Sequence, residues 1–320
     1  MSEAQARAQR LQRRRRLTQS AFFGLFLAAP SLDLLRFDLT QTQLWFLGQR
    51  WTLGIDALVQ GQVDANTAAL HIITRAFLPA LLIVGVFLGI AYRYGRLYCG
   101  WLCPHFSVVE TLNAVLQRAC GKLSLWDAQP TQPPGGALVP KARWWAVYGL
   151  ASVSLALLWA VTLLTYLLPP STIWQGLFTA ALTPNQARFI AVATTVFALE
   201  FTLARHLFCR FGCAVGFFQS LAWMANPRGL VMAFDRPRAR ECKTCDAPRG
   251  SACEAVCPMR LKPRNIKRLM FSCVQCGRCL QACAQSHAAH KRSPSLTWTV
   301  GADALRETLR QRQLEKAGRP

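Results

Sequence analysis

Acidic residues are scarce in this chain. Its 320 residues include 15 Asp and Glu against 37 Lys and Arg, a net charge of +22, and charged residues make up only 16% of the total. Average usage is about 25%, and with 52% hydrophobic residues an ordinary soluble domain is excluded. A cationic surplus can serve nucleic acid, but no helix-turn-helix, zinc-finger or RNA-binding signature accompanies it, so no nucleic-acid partner is expected. Membrane proteins concentrate Lys and Arg in cytoplasmic loops, which accounts for the charge better. The five methionines do not group along the sequence, so no methionine-type copper relay is expected. Solenoid repeats are absent. Stretches 38–70 and 169–187 contain no cysteine at all.

Apolar runs are what the chain has instead. About 20 apolar residues cross a bilayer. Ile72 to Tyr94, Trp144 to Leu168 and Gln186 to Leu207 meet that length. A shorter run, Ser20 to Leu35, follows the basic Arg13–Arg16; it has no clear small-x-small cleavage site and reads as an uncleaved first span rather than a signal peptide. Lys and Arg number six in 1–19, one in 38–70, five in 95–143, none in 169–187 and 21 from Arg205 onward. By the positive-inside rule both termini are then cytoplasmic. All 13 cysteines fall on that side, where thiols stay reduced. Trp45, Phe46 and Trp51 suit an interfacial segment on the far side. Phe106 to Leu123 carries a helical apolar stripe, expected along the cytoplasmic membrane surface and ended by Gly121. Asp127 to Pro140 reads as a Pro/Gly-rich linker.

Eight cysteines lie within 42 residues: Cys242-x2-Cys245-x7-Cys253-x3-Cys257-Pro258, then Cys273-x2-Cys276-x2-Cys279-x3-Cys283. The second half matches the bacterial ferredoxin run for a [4Fe–4S] cluster, in which the fourth cysteine of a run serves the other cluster. One cluster would take Cys242, Cys245, Cys253 and Cys283, the other Cys273, Cys276, Cys279 and Cys257. A zinc ribbon needs two well-separated pairs, which this spacing does not supply. The insert Asp246 to Ala252 departs from the usual two-residue gap but is turn-like.

Two further motifs, Cys99-Gly-Trp-Leu-Cys103-Pro104 and Cys209-Arg-Phe-Gly-Cys213-Ala214, each follow an inward-running span. If helical, each pair shows both sulfurs on one face. At equal membrane depth the four thiols could converge as a copper or third metal site, since soft thiolates suit Cu(I), iron–sulfur or zinc. Cys120 stands alone and reads as structural. Glu200 lies in the last span, where an ionisable group is a functional hypothesis by default. It is a candidate acceptor for a quinol proton or the partner of an ion pair with Arg205. His71 and Arg75 read as interfacial anchors; His105 and His206 flank the cysteine motifs and read as hydrogen-bonding residues.

These features together resemble the membrane-bound polyferredoxin family, with its CcoG, NapH and NosR branches. The likeness rests on four spans, two Cys-x3-Cys motifs at the cytoplasmic edge and a two-cluster ferredoxin domain, over about residues 15 to 290. Leu35 to Asp38, Tyr98 to Pro104 and the Cys283-Ala284 ending are most similar to the CcoG branch. That branch carries a further immunoglobulin-like domain, whereas this chain stops at Pro320; Ala214 stands where the family has proline.

The expected fold is a membrane all-α four-helix domain (20–225) after a basic N-terminus (1–19), then a small α+β two-cluster bacterial-type ferredoxin domain (226–290) and a basic tail (291–320). The resemblance implies an electron-transfer protein in the bacterial inner (cytoplasmic) membrane with two [4Fe–4S] clusters. For the CcoG branch it implies reduction of Cu(II) to Cu(I) in cytochrome oxidase assembly; the residues read above as reacting groups are Cys99, Cys103, Cys209 and Cys213, with Glu200 as acceptor of a quinol proton. A quinol dehydrogenase subunit feeding a periplasmic reductase is the alternative, with quinol as donor. A non-catalytic copper- or cluster-binding scaffold is the third reading. Partners are the lipid bilayer, a cytoplasmic or quinol donor, an electron or copper acceptor, and a second copy of the chain as a candidate homo-oligomer.

Overall fold

The computed structural model describes residues 3–128, 130–131, 139–245 and 251–318. The chain divides into two compact units. One comprises Met1–Phe23, Gly89–Ser152 and Glu200–Pro320; the other Gly24–Leu88 and Val153–Leu199. The first holds every cysteine, so the edge motifs and the ferredoxin-like segment share one body. No boundary between units falls at residue 225.

Among the described residues three helices are long and apolar enough to cross a membrane: Ala65–Tyr94, Arg143–Thr165 and Pro184–Ala204. Leu81, Leu82 and Ile83 are each at least 66% exposed, a surface that lipid would cover. The expected first span is not among them. Its helix runs Glu3–Ala28 and stops, and Leu35–Asp38 is already a strand. Only nine residues from Ser20 to Ala28 are both helical and apolar in character, roughly 13 Å of rise, and the preceding turns are arginine-rich. Three of the four expected spans are thus present as long apolar helices, and the N-terminal helix is largely polar.

In the second unit, strands Leu35–Asp38, Gln43–Phe46 and Gln49–Trp51 form an antiparallel meander. Phe37 and Leu39 donate their N–H groups to the carbonyls of Tyr166 and Leu167. Trp51 Nε1 donates to the Arg75 carbonyl and Arg75 donates to Thr52, which fits the anchoring role read for Arg75.

In the first unit, helix Pro104–Cys120 starts on a proline at its first turn and ends at Gly121, whose φ of 75° suits the left-handed cap. Its apolar stripe, Phe106, Val109, Leu112 and Leu116, is fully buried in protein. This corrects the expectation that it lies on the membrane surface. The linker expected at 127–140 falls largely outside the described residues.

Residues 291–320 were expected to be a solvated tail. Instead strand Leu296–Thr299 pairs antiparallel with Val231–Phe234, and helix Ala302–Lys316 packs on that ladder. Gln311 donates to the Met232 carbonyl and Arg310 to the Phe234 carbonyl. Buried Leu296 and Ala304 close the core around the cysteines.

Candidate functional site

The loop Cys273–Gly277 wraps tightly because Gln275 and Gly277 both take positive φ, 51° and 68°. Helix Arg278–Ala289 then carries Cys279 and Cys283 four residues apart on one face. Cys257, Cys273, Cys276 and Cys279 line one small cavity, together with Met232, Met259, Met270 and Trp298. Four sulfurs around an apolar hollow suit a [4Fe–4S] cluster, whose thiolate ligands sit at separate corners. Met232, Met259 and Met270, scattered in sequence, meet at this cavity, where the thioether fills irregular space.

Burial pushes the Cys253 thiol up to about 12, with the Cys283 sulfur adding to it. Cys283 is raised by burial and by Cys245 and Cys242. Cys257 is pushed up to about 11 by burial and the neighbouring Cys276. Burial lifts Cys279 well above its usual value; Cys276, Cys273 and Cys257 add to this, and Cys253 less so. Such thiols release their protons to a metal. Residues 246–250 of the cluster-one insert lie outside the described residues.

The edge motifs are built alike, though not as the sequence suggested. Neither is one continuous helix. Cys99 sits on the short helix Leu97–Trp101, and Cys103 in extended backbone immediately before helix Pro104–Cys120. Cys209 lies in a π-turn, and Cys213 in extended backbone before helix Ala214–Ala225. Both second cysteines are therefore N-caps. A helix N-terminus favours a thiolate, and a proline at the first helical position helps but is not required, so Ala214 serves as well as Pro104. Burial pushes Cys103 up to about 11, and the Cys99 and Cys213 sulfurs contribute. Cys209 is raised by burial, Cys103, Cys99 and Cys213. The four thiols thus feel one another's charge. Among the described residues, however, no three metal-ligating side chains converge closely enough to hold a single ion.

Gln219 and Arg96, which the sequence left unremarked, frame this quartet together with His105 and Glu200. Gln219 Nε2 donates to Cys99 Sγ at 3.3 Å. Buried Arg96 donates to the Cys209 carbonyl at 2.7 Å. His105 lies 3.6 Å from Cys209 Sγ through Nδ1 and 2.9 Å from Glu200 Oε2 through Nε2. Glu200 makes no side-chain bond to Arg205, whose guanidinium has no hydrogen-bond partner among the described residues. His206 is buried. Cys120 Sγ donates to the Leu116 carbonyl.

The quartet is joined directly to the cluster loop. Gly100 packs so closely that a Cβ there would lie 2.0 Å from the Val274 carbonyl oxygen. Trp101 Nε1 donates to the Gln275 carbonyl at 3.0 Å. Cys99, Cys209, Cys257 and Cys276 share one buried apolar core. The N-terminal helix fastens the joint: Gln12 donates to the Cys276 carbonyl, and Arg15 to the Gly100 carbonyl and, twice, to Glu110.

A family model described as a 4Fe-4S binding domain matches residues 76–122. That stretch contains Cys99, Cys103 and Cys120 and none of Cys242–Cys283. The match supports an iron–sulfur protein of the electron-transfer type and draws the first edge motif into it. No curated protein and no solved structure matches the chain.

Proposed function

We propose that this chain is a membrane-bound iron–sulfur electron-transfer protein of the bacterial cytoplasmic membrane. Cys242, Cys245, Cys253 and Cys283 would hold one [4Fe–4S] cluster, and Cys257, Cys273, Cys276 and Cys279 a second. Bound clusters of this kind supply one-electron transfer. Cys99, Cys103, Cys209 and Cys213 form a third thiolate site at which an acceptor, Cu(II), gains one electron and becomes Cu(I). The observation that carries this reading is the interlock of Gly100 and Trp101 with Val274 and Gln275, which brings the third site and the cluster-two cavity into one dry core. The dry surroundings keep water from competing for the metal and raise the strength of every charge near it. The charge count supports cytoplasmic termini, on the reading that helix Glu3–Ala28 and the strand Leu35–Asp38 after it make the first of four crossings. So does the company each segment keeps: strand Leu35–Asp38 bonds Tyr166 and Leu167, and the N-terminal helix bonds Gly100 and Glu110.

Iron, acid-labile sulfide and copper quantitation, with electron paramagnetic resonance of the reduced protein, test this directly. Cys→Ser at 242, 245, 253 or 283 removes one cubane signal, and Cys→Ser at 257, 273, 276 or 279 removes the other. Cys→Ala at 99, 103, 209 or 213 abolishes Cu(II) reduction while both signals remain. Loss of copper from those variants marks the third site as a copper site; loss of iron marks it as a further cluster. Colourless, iron-free folded protein would overturn the proposal.

A quinol donor is the second reading. It is favoured by Glu200, whose Oε1 is buried without a hydrogen-bond partner among the described residues and could accept from a quinol hydroxyl.

A further inference from the structure

The N-terminal helix has two unlike faces. Gln12, Arg15 and Gln19 are buried and tied to Cys276, Gly100 and Glu110. Arg7, Arg10 and Arg14, spaced for the same side of the helix, instead form one wall of an open cleft of about 750 Å³. Its floor is apolar, with Leu280, Ala284, Leu296 and Trp298. A second cleft of about 660 Å³, which adds Lys291 and Arg292, shares Ala4 and Pro294 with the first. Five cationic side chains thus face one acidic one, Glu3, which pairs with Arg7. Arg10 and Arg14 are exposed and carry no ion pair among the described residues.

We infer that this double cleft is the docking face for a small acidic protein that carries one electron. The inference rests on the electron-transfer reading above. An apolar floor inside a charged rim is the anatomy of a protein–protein contact, and a cationic rim selects an acidic partner and speeds its encounter. The place is right for delivery. Leu280 and Ala284 directly follow Cys279 and Cys283 on one helix, so the floor lies next to a candidate ligand of each cluster. The lip is also rigid, because the opposite face of its helix is held by Glu110. In the encounter the reduced carrier loses one electron and this protein gains one; no bond is made or broken.

The test uses the full chain in uncharged detergent and a purified acidic [2Fe–2S] ferredoxin. Binding is measured against ionic strength, and oxidation of the reduced ferredoxin by stopped flow. Wild-type protein binds saturably and less tightly as salt rises. R10E/R14E weakens binding and slows the second-order rate about tenfold at low salt, and flattens the salt dependence. R306E, on the helix Ala302–Lys316 and outside both clefts, changes neither. Unaltered binding by R10E/R14E overturns the inference. So does binding of phosphatidylglycerol vesicles that R10E/R14E abolishes while ferredoxin binding persists, which would make the arginine row a lipid contact. Because binding is read separately from iron content, absence of clusters would sink the electron-transfer reading and leave the docking result to stand or fall by itself.

Discussion

His105 bridges Glu200 and Cys209, with Nε2 at 2.9 Å from the carboxylate and Nδ1 at 3.6 Å from the sulfur. A carboxylate that holds one ring nitrogen fixes the direction of the other, an arrangement common behind metal-binding histidines. Cys209 arrives from a different helix, and the rings of Phe201 and Phe208 keep the imidazole in place.

Removing either end of that bridge is expected to damage the third site alone. Glu200→Gln and His105→Ala should lower Cu(II) reduction or metal affinity there roughly 10- to 100-fold. Iron held by Cys242–Cys283 should not change. Dithionite as electron source separates the two donor readings. Under it, Glu200→Gln retains full copper reduction if the carboxylate serves only a quinol, and remains slow if it orients His105. Metal content of purified variants and initial rates decide between them.

Gly100→Ala drives a methyl group against the Val274 carbonyl at 2.0 Å, and backbone on both sides cannot yield cheaply. Overpacking of this kind costs about 1–3 kcal/mol and occasionally more. The expected result is a lower melting temperature together with loss of the cubane absorption, because the cluster-two loop must move. Gly85→Ala, which meets nothing within 4 Å, is the neutral control. Equal melting curves for both variants would show that the two loops are not interlocked.

Glu110 receives Arg15, Arg278 and Gln19. Burial by itself would raise its pKa, but the hydrogen bond and charge of Arg15, then Arg278 and Gln19, hold it below the ordinary 4.5. A depressed carboxylate stabilises the fold above its unfolded value and loses that contribution as pH falls through its folded value. Wild-type stability should therefore fall below pH 4.5, and the Glu110→Gln variant should show a flatter acid limb. At neutral pH the variant leaves Arg15, 2% exposed, short of its counter-charge, at a cost of about 3–5 kcal/mol. Thermal melts from pH 3.5 to 7 check both statements.

Much of the site was legible in the sequence because cysteine spacing is a local code. The three main apolar helices followed from length alone, and the meeting of Cys257, Cys273, Cys276 and Cys279 at one cavity agrees with their spacing. The expected first span failed because its apolar run was counted without the turn at Ala29 and the strand at Leu35. The tail after residue 290 failed because Leu296–Thr299 is too short and mixed to announce a strand until it meets Val231–Phe234. Helix Pro104–Cys120 had the right periodicity, but periodicity cannot say whether protein or lipid covers a stripe.

The sequence alone determined which atoms are available for chemistry: thirteen sulfurs, their local spacing, and the apolar lengths that flank them. Those properties reside within a few residues of each other and need no fold to be read. The tertiary structure decided what each sulfur faces: His105 beside Cys209, Gly100 against Val274, Arg15 behind both, and three methionines around one cavity. Such contacts join residues up to 264 positions apart, as Gln12 and Cys276 are. They arise from packing the whole chain, which no single stretch encodes.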